Sequence, residues 1–139
     1  MSAIARLRRA MFARHCNPWS AWTRWASTPL LLVPAWTRQR SHAVLLAVWL
    51  ALNPFIFGEP AHHRNWATRA MLGEELWIIR RPKDGARVTS AVSSAVAFVA
   101  IIAARKRRLG TALTATAVQM ALTLVYWRQM VRYFDGGPQ

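Results

Sequence analysis

The sequence predicts an all-α integral membrane protein, a helical bundle of about four transmembrane helices with an interfacial amphipathic helix in one long loop. Three observations carry that expectation. Hydrophobic residues fill 54% of the 139 positions, yet the formal charge is +14 and only five residues are acidic. A soluble domain so apolar needs acids to balance its surface, whereas basic residues beside apolar runs suit anionic lipid headgroups. Eight residues are tryptophan, whose ring buries in lipid while its N–H stays at the wet headgroup level. Finally, the apolar runs are long and are separated by basic turns. The length suits one domain, residues 14–131, between a basic tail over 1–13 and a short tail over 132–139.

The tail over 1–13 holds Arg6, Arg8 and Arg9 and no acid. Ile4, Leu7 and Met11 fall at helical spacing, which permits an amphipathic helix on anionic lipid. Arg-rich, acid-poor composition also suits a targeting peptide. A flexible basic tail that orients insertion is the simplest reading. Asn17-Pro18 then starts a helix, since Asn accepts from first-turn N–H groups and Pro at the first helical position loses no bond. The first span runs over 19–36, with Trp19, Trp22 and Trp25 roughly along one face. Pro29 and Pro34 each remove a helix hydrogen bond, so this span is kinked, or enters and turns back.

The second span, 42–57, is expected to end or kink at Asn53, because the residue before proline avoids the helical region. The loop that follows holds four of the five acids. Within it Asn65 caps an interfacial helix over 65–79, with Trp66, Ala70, Gly73 and Trp77 on one face. The third span, 88–104, carries small residues at Ser93, Ala97, Ala100 and Ala104, a face on which helices approach closely in lipid. After the basic tetrad at 105–108 comes the last span, 111–131, where Gln119 is placed to hydrogen-bond between helices. With four spans, one side carries thirteen of the nineteen basic residues, which favours both termini inside. With three, the split is eleven against eight.

His15-x-Asn17-Pro18-Trp19-Ser20-x-Trp22-Thr23-Arg24, then Asn53-Pro54, then Trp66-Ala67-x-Arg69 through Leu72-Gly73-Glu74 to Trp77 resemble the motifs of a family of small prokaryotic multi-pass membrane proteins, a domain of unknown function. The resemblance spans residues 14 to about 80. It implies a protein of the prokaryotic cytoplasmic membrane and supplies no activity. Phe55 stands where that pattern carries a basic residue, which removes a charge-based role there.

Charge alone also suits phosphate binding, but the Lys and Arg flank apolar segments and no nucleic-acid motif is present, so nucleic acid is not an expected partner. One cysteine, Cys16, excludes a disulfide framework. His62 and His63 are adjacent and point apart, so no metal or other cofactor is expected. No acid lies inside an apolar run, and no Ser-His-Asp set is visible, so no catalytic residue is assigned.

The candidate surface is polar: Arg14, His15, Asn17, Thr23 and Arg24, framed by Trp19 and Trp22, together with Arg69, Glu74 and Glu75. It reads either as an ion-pair layer locking the loop helix onto the first span or as a pocket for a headgroup or anionic substrate. The leading functional expectation is a non-enzymatic accessory or scaffold protein. It would sit among anionic headgroups and pack on itself or a membrane partner through Ser93, Ala97, Ala100, Ala104 and Gln119. The alternative is a membrane-embedded enzyme or binding site for lipid headgroups or lipid-soluble substrates at the Arg14–Arg24 and Arg69–Glu75 surface. A transporter would require oligomerisation.

Overall fold

The computed structural model describes residues 3–136. These residues are helical without strands: α1 Ala3–His15, α2 Pro18–Ala26, a 3-10 turn Thr28–Leu31, α3 Leu32–Thr37, α4 Arg40–Phe57, α5 Trp66–Arg80, α6 Gly85–Arg105 and α7 Leu109–Asp135. Three of them, α4, α6 and α7, are long and apolar enough to cross a membrane, where the sequence led us to expect four. The missing one is the first apolar run. Pro29 opens the 3-10 turn and Pro34 lies in α3, so the run divides into pieces of nine, four and six residues. None of these pieces is long enough alone.

Two further features concern the tail and the second span. Residues 3–15 are a helix instead of a loose tail, with Ile4, Leu7 and Met11 exposed along it. The second span, expected over 42–57, is α4, Arg40–Phe57, with Pro54 inside the helix and not at its end. Asn53 is fully buried and bonded to α2, which outweighs the backbone preference of a residue before proline. The helix stops at Gly58, whose φ of +67° suits glycine and whose N–H reaches the Pro54 carbonyl.

The chain divides into two compact units. One comprises Met1–Arg24, Leu52–Lys83 and Trp127–Gln139; the other comprises Trp25–Ala51 and Asp84–Tyr126. In the first, α5 is capped as expected: the Asn65 side chain accepts from the Ala67 N–H. Its buried positions, Ala67, Thr68, Ala70, Met71 and Gly73, cover more than one face, so it packs inside the unit on several sides. A Cβ on Gly73 would collide with the Met130 carbonyl, so only glycine lets α5 and the end of α7 meet there. Trp66 stacks on Trp22 at 5.9 Å, and both contact Trp127.

The second unit is built of small side chains. Ala100, Ala103 and Ala104 of α6 pack with Leu32 and Ala35 of α3 and with Ala112 and Ala115 of α7. Trp36, Val96 and Ile101 pack around this cluster, and its alanines let helix surfaces approach closely, which is how helices gain dispersion energy where no water drives them together.

Candidate functional site

The polar residues of the opening motif gather in the first unit, where the start of α2 meets the end of α4. Asn17 has two duties. Its Oδ1 accepts from the Trp19 N–H at 2.9 Å, capping α2, and its Nδ2 donates to the Phe57 carbonyl at 2.9 Å. One side chain therefore satisfies an orphan donor at one helix start and an orphan acceptor at another helix end. One turn further in, Ser20 Oγ donates to Asn53 Oδ1 at 2.6 Å, and Asn53 Nδ2 donates to Thr23 Oγ1 at 2.8 Å. Ser20 and Asn53 are wholly buried. Thr68 of α5 adds a third tie, its hydroxyl donating to the Cys16 carbonyl at 2.7 Å. Every bond here is short and inward, the condition under which a buried polar group stabilises instead of costing its desolvation.

Beside this clasp the Arg24 side chain runs back toward the start of its helix. One terminal nitrogen meets the His15 ring nitrogens, and the other donates to the His15 carbonyl at 3.1 Å and approaches the Met71 sulfur. Glu74 is the carboxylate whose charge acts on Arg24. Burial first, and the Arg24 charge second, lower the His15 pKa from 6.5 to about 4. The imidazole is therefore neutral at physiological pH and acts as an acceptor. Burial also raises the Cys16 thiol above its ordinary pKa, and Cys16 Sγ donates to the Ala13 carbonyl. A protonated, buried thiol is a poor nucleophile.

Of the expected polar surface, then, His15, Asn17, Thr23, Arg24 and Glu74 come together. The others are engaged elsewhere in the unit. Arg14 lies over the Phe55 ring at 5.1 Å, and Arg69 makes a two-pronged pair with Asp135 at 2.8 and 3.0 Å. Glu75 faces Arg8 at 3.8 Å. Trp19 is exposed and Trp22 joins the tryptophan cluster. Trp25, in the other unit, donates to the Met120 carbonyl. Three-residue steps fall about 60° short of a full helical turn, so these tryptophans fan out instead of sharing a face.

Four residues of this region lie outside the expected surface. Ser20 and Asn53 sat in the motifs, and a lone Asn inside an apolar run was a usable signal. Thr68 and Asp135 gave none, because each matters only through a partner more than 50 positions away.

The small-residue face is spent inside the second unit. Ala100 and Ala104 are buried, and Ser93 and Ala97 half-buried. Gln119 does not bridge helices as expected. Its Nε2 donates to Thr123 one turn along α7, and its Oε1 is buried without a hydrogen-bond partner. Among the described residues no three His, Cys, Asp or Glu side chains converge as metal ligands would. No curated protein and no solved structure matches the chain. Residues 1–136, which hold the clasp and all seven helices, do match one family, and the chain belongs to it: the family of unknown function DUF6653.

Proposed function

We propose that this protein is a non-enzymatic accessory or scaffold protein of the prokaryotic cytoplasmic membrane, and that its polar motif is a structural clasp. The observation that carries this reading is Asn53, fully buried and bonded through both atoms of its amide to Ser20 and Thr23. An active site keeps polar groups poised for a ligand, and removing them commonly leaves stability unchanged or raises it. A clasp loses stability instead. In purified protein, Ser20→Ala, Asn53→Ala and His15→Gln should each lower the melting temperature. Unchanged or raised melting in all three would overturn the clasp and return the motif to the headgroup-site or enzyme reading.

The same bonds support a fourth crossing by the broken first segment. In the first unit Asn17 reaches Phe57, and Ser20 and Thr23 reach Asn53. In the second unit Ser27 pairs with Trp49 and Thr37 with His42. Within each unit the segment meets its own stretch of α4 in antiparallel order. A proline-broken segment is tolerated at membrane depth where neighbours satisfy its backbone. Single cysteines at Ala10, Ser41, Ala61 and Thr111, in a Cys16→Ser background, test the count by labelling in intact cells. Four crossings place Ala10 with Ala61 and Ser41 with Thr111. Labelling of Ala10 and Ser41 from one side would leave three.

The partner-facing surface is then α4. Only 6% of its apolar window is buried, against 17% in α6 and in α7, and Val44, Leu45, Val48 and Leu52 are exposed along it. Lipid, a second copy or another membrane protein covers that face.

A further inference from the structure

An open groove of about 510 Å³ lies within the second unit, walled by α3, α4 and α6. Its chemistry changes along its length. Arg38, Arg40 and Arg105 stand at one end, and no Asp or Glu lines any part of it. Away from that end the walls are Leu46 and Leu50 of α4 with Leu31 and Ile101 opposite. Arg38 is held in place by its surroundings. It closes α3 with φ at 56°, a conformation that residues with a side chain rarely adopt. Its Nη2 also donates to the Arg105 carbonyl at 2.8 Å. The first turn of α4 begins at Arg40, and the positive end of that helix adds to the same field.

We infer that this groove binds one anionic phospholipid, its phosphate at Arg38, Arg40 and Arg105 and one acyl chain along Leu46, Leu50 and Ile101. This goes beyond the scaffold reading and does not depend on it. The charge pattern identifies the occupant. Guanidinium groups present paired donors that match phosphate oxygens, and three of them without an acid favour a headgroup lacking a compensating amine. The apolar wall from Arg40 to Leu50 runs for about 15 Å, and only a chain of that kind fills it while leaving the charge at the mouth. A soluble phosphate would use the arginines and leave the wall exposed, and a hydrophobic peptide would use the wall and leave three cations unmatched.

Native mass spectrometry of the purified protein from detergent micelles tests this, with phosphatidylglycerol and phosphatidylcholine as probes. The wild type should retain phosphatidylglycerol in preference. Arg105→Gln should lower that preference about fivefold, the weight of one basic side chain at an anionic surface. Arg38→Gly should do the same while relieving the left-handed backbone, so its loss cannot be ascribed to misfolding. Ala47→Trp fills the apolar part of the groove from an exposed position and leaves the arginines in place. It should abolish retention. Arg64→Gln, an exposed arginine of the other unit, should leave retention unchanged. Equal retention of both lipids, an equal loss in Arg64→Gln, full retention in Ala47→Trp, or displacement by soluble glycerol phosphate would each overturn the site. So would a lipid-free dimer that Ala47→Trp dissolves.

Discussion

In the first unit helices meet through polar contacts placed one at a time: Asn17 on Phe57, Ser20 and Thr23 on Asn53, Thr68 on Cys16. In the second, Ala100, Ala103 and Ala104 bring α6 against α3 and α7 in an apolar core, with Leu32 and Ala35 of α3 packed on them. The difference follows from what each unit must join. The first contains helix ends, at residues 15, 18, 57 and 66, and every end carries backbone groups that need partners. The second has helix ends as well, among them residues 26, 37, 40, 85, 105 and 109, but the core where α3, α6 and α7 meet is apolar, and there side-chain shape decides the contact. Hydrogen bonds therefore specify the clasp of the first unit and side-chain size the core of the second. Polar ties such as Ser27–Trp49 and Arg38–Arg105 lie outside that core.

The sharpest way to break the comparison is a glycine in each unit. Gly73→Ala drives a methyl into the Met130 carbonyl, and backbone cannot yield as a flexible side chain would. A loss of about 3 kcal/mol, or failure to fold, is expected. Gly110 of α7 has nothing within 4 Å of a built Cβ. Gly110→Ala should therefore gain about 0.5–1 kcal/mol from helix propensity alone. Thermal melts in detergent read both, and equal effects would remove the contrast.

Next in size is Asn53→Ala, which strands the Ser20 hydroxyl in a buried place and removes the donor to Thr23. About 2 kcal/mol should be lost. Because Ser20 and Asn53 act through one bond, the double variant with Ser20→Ala should cost clearly less than the two singles together. Strict additivity in chemical or thermal unfolding would mean that the bond contributes nothing.

His15 gives the first unit a pH dependence of predictable sign. Its folded pKa of about 4 lies below the ordinary 6.5, so between these values the unfolded chain binds a proton that the folded one refuses. Stability from this group is full above pH 6.5 and is lost as pH falls toward 4. Melting temperature in the wild type should fall over that window, and His15→Gln should flatten the part of the slope that belongs to His15. An identical slope in the variant would show that other groups carry it.

Much of this was legible in the chain. Caps and apolar runs located α5, α6 and α7, because capping and periodicity are local: Asn65 and the turn after Arg80 need no distant partner. The motif residues His15, Asn17, Thr23, Arg24 and Glu74 were marked by polarity beside apolar runs. What was not legible depended on contacts across the chain. Arg69 was expected beside Arg24 but finds Asp135, 66 residues away. Asn53-Pro54 was expected to end or kink the second span, and Asn53 lies within α4, bonded to Ser20 and Thr23. Pro29 and Pro34 were read as a kink or a turn back in the first span, and the run breaks there into a 3-10 turn between two short helices. For Arg69 and Asn53, local rules state a preference and a tertiary bond decides.

Gln119 is where the second unit departs from its own principle, and it yields the smallest effect. A glutamine in a core of alanines was expected to bond across helices, yet its Nε2 stays on Thr123 of the same helix and its Oε1 has no hydrogen-bond partner. A cavity of about 20 Å³ lies beside it, bounded also by Thr28, Ala97, Ala100 and Thr116, large enough for one water. Gln119→Leu exchanges an under-satisfied amide for apolar volume of similar size and should change stability by no more than about 1 kcal/mol, in the stabilising direction. Asn53→Leu, an exchange of the same kind in the first unit, should be strongly destabilising. If Gln119→Leu also costs stability, a water in that cavity is completing the amide's bonds, and the second unit relies on polar satisfaction as the first does.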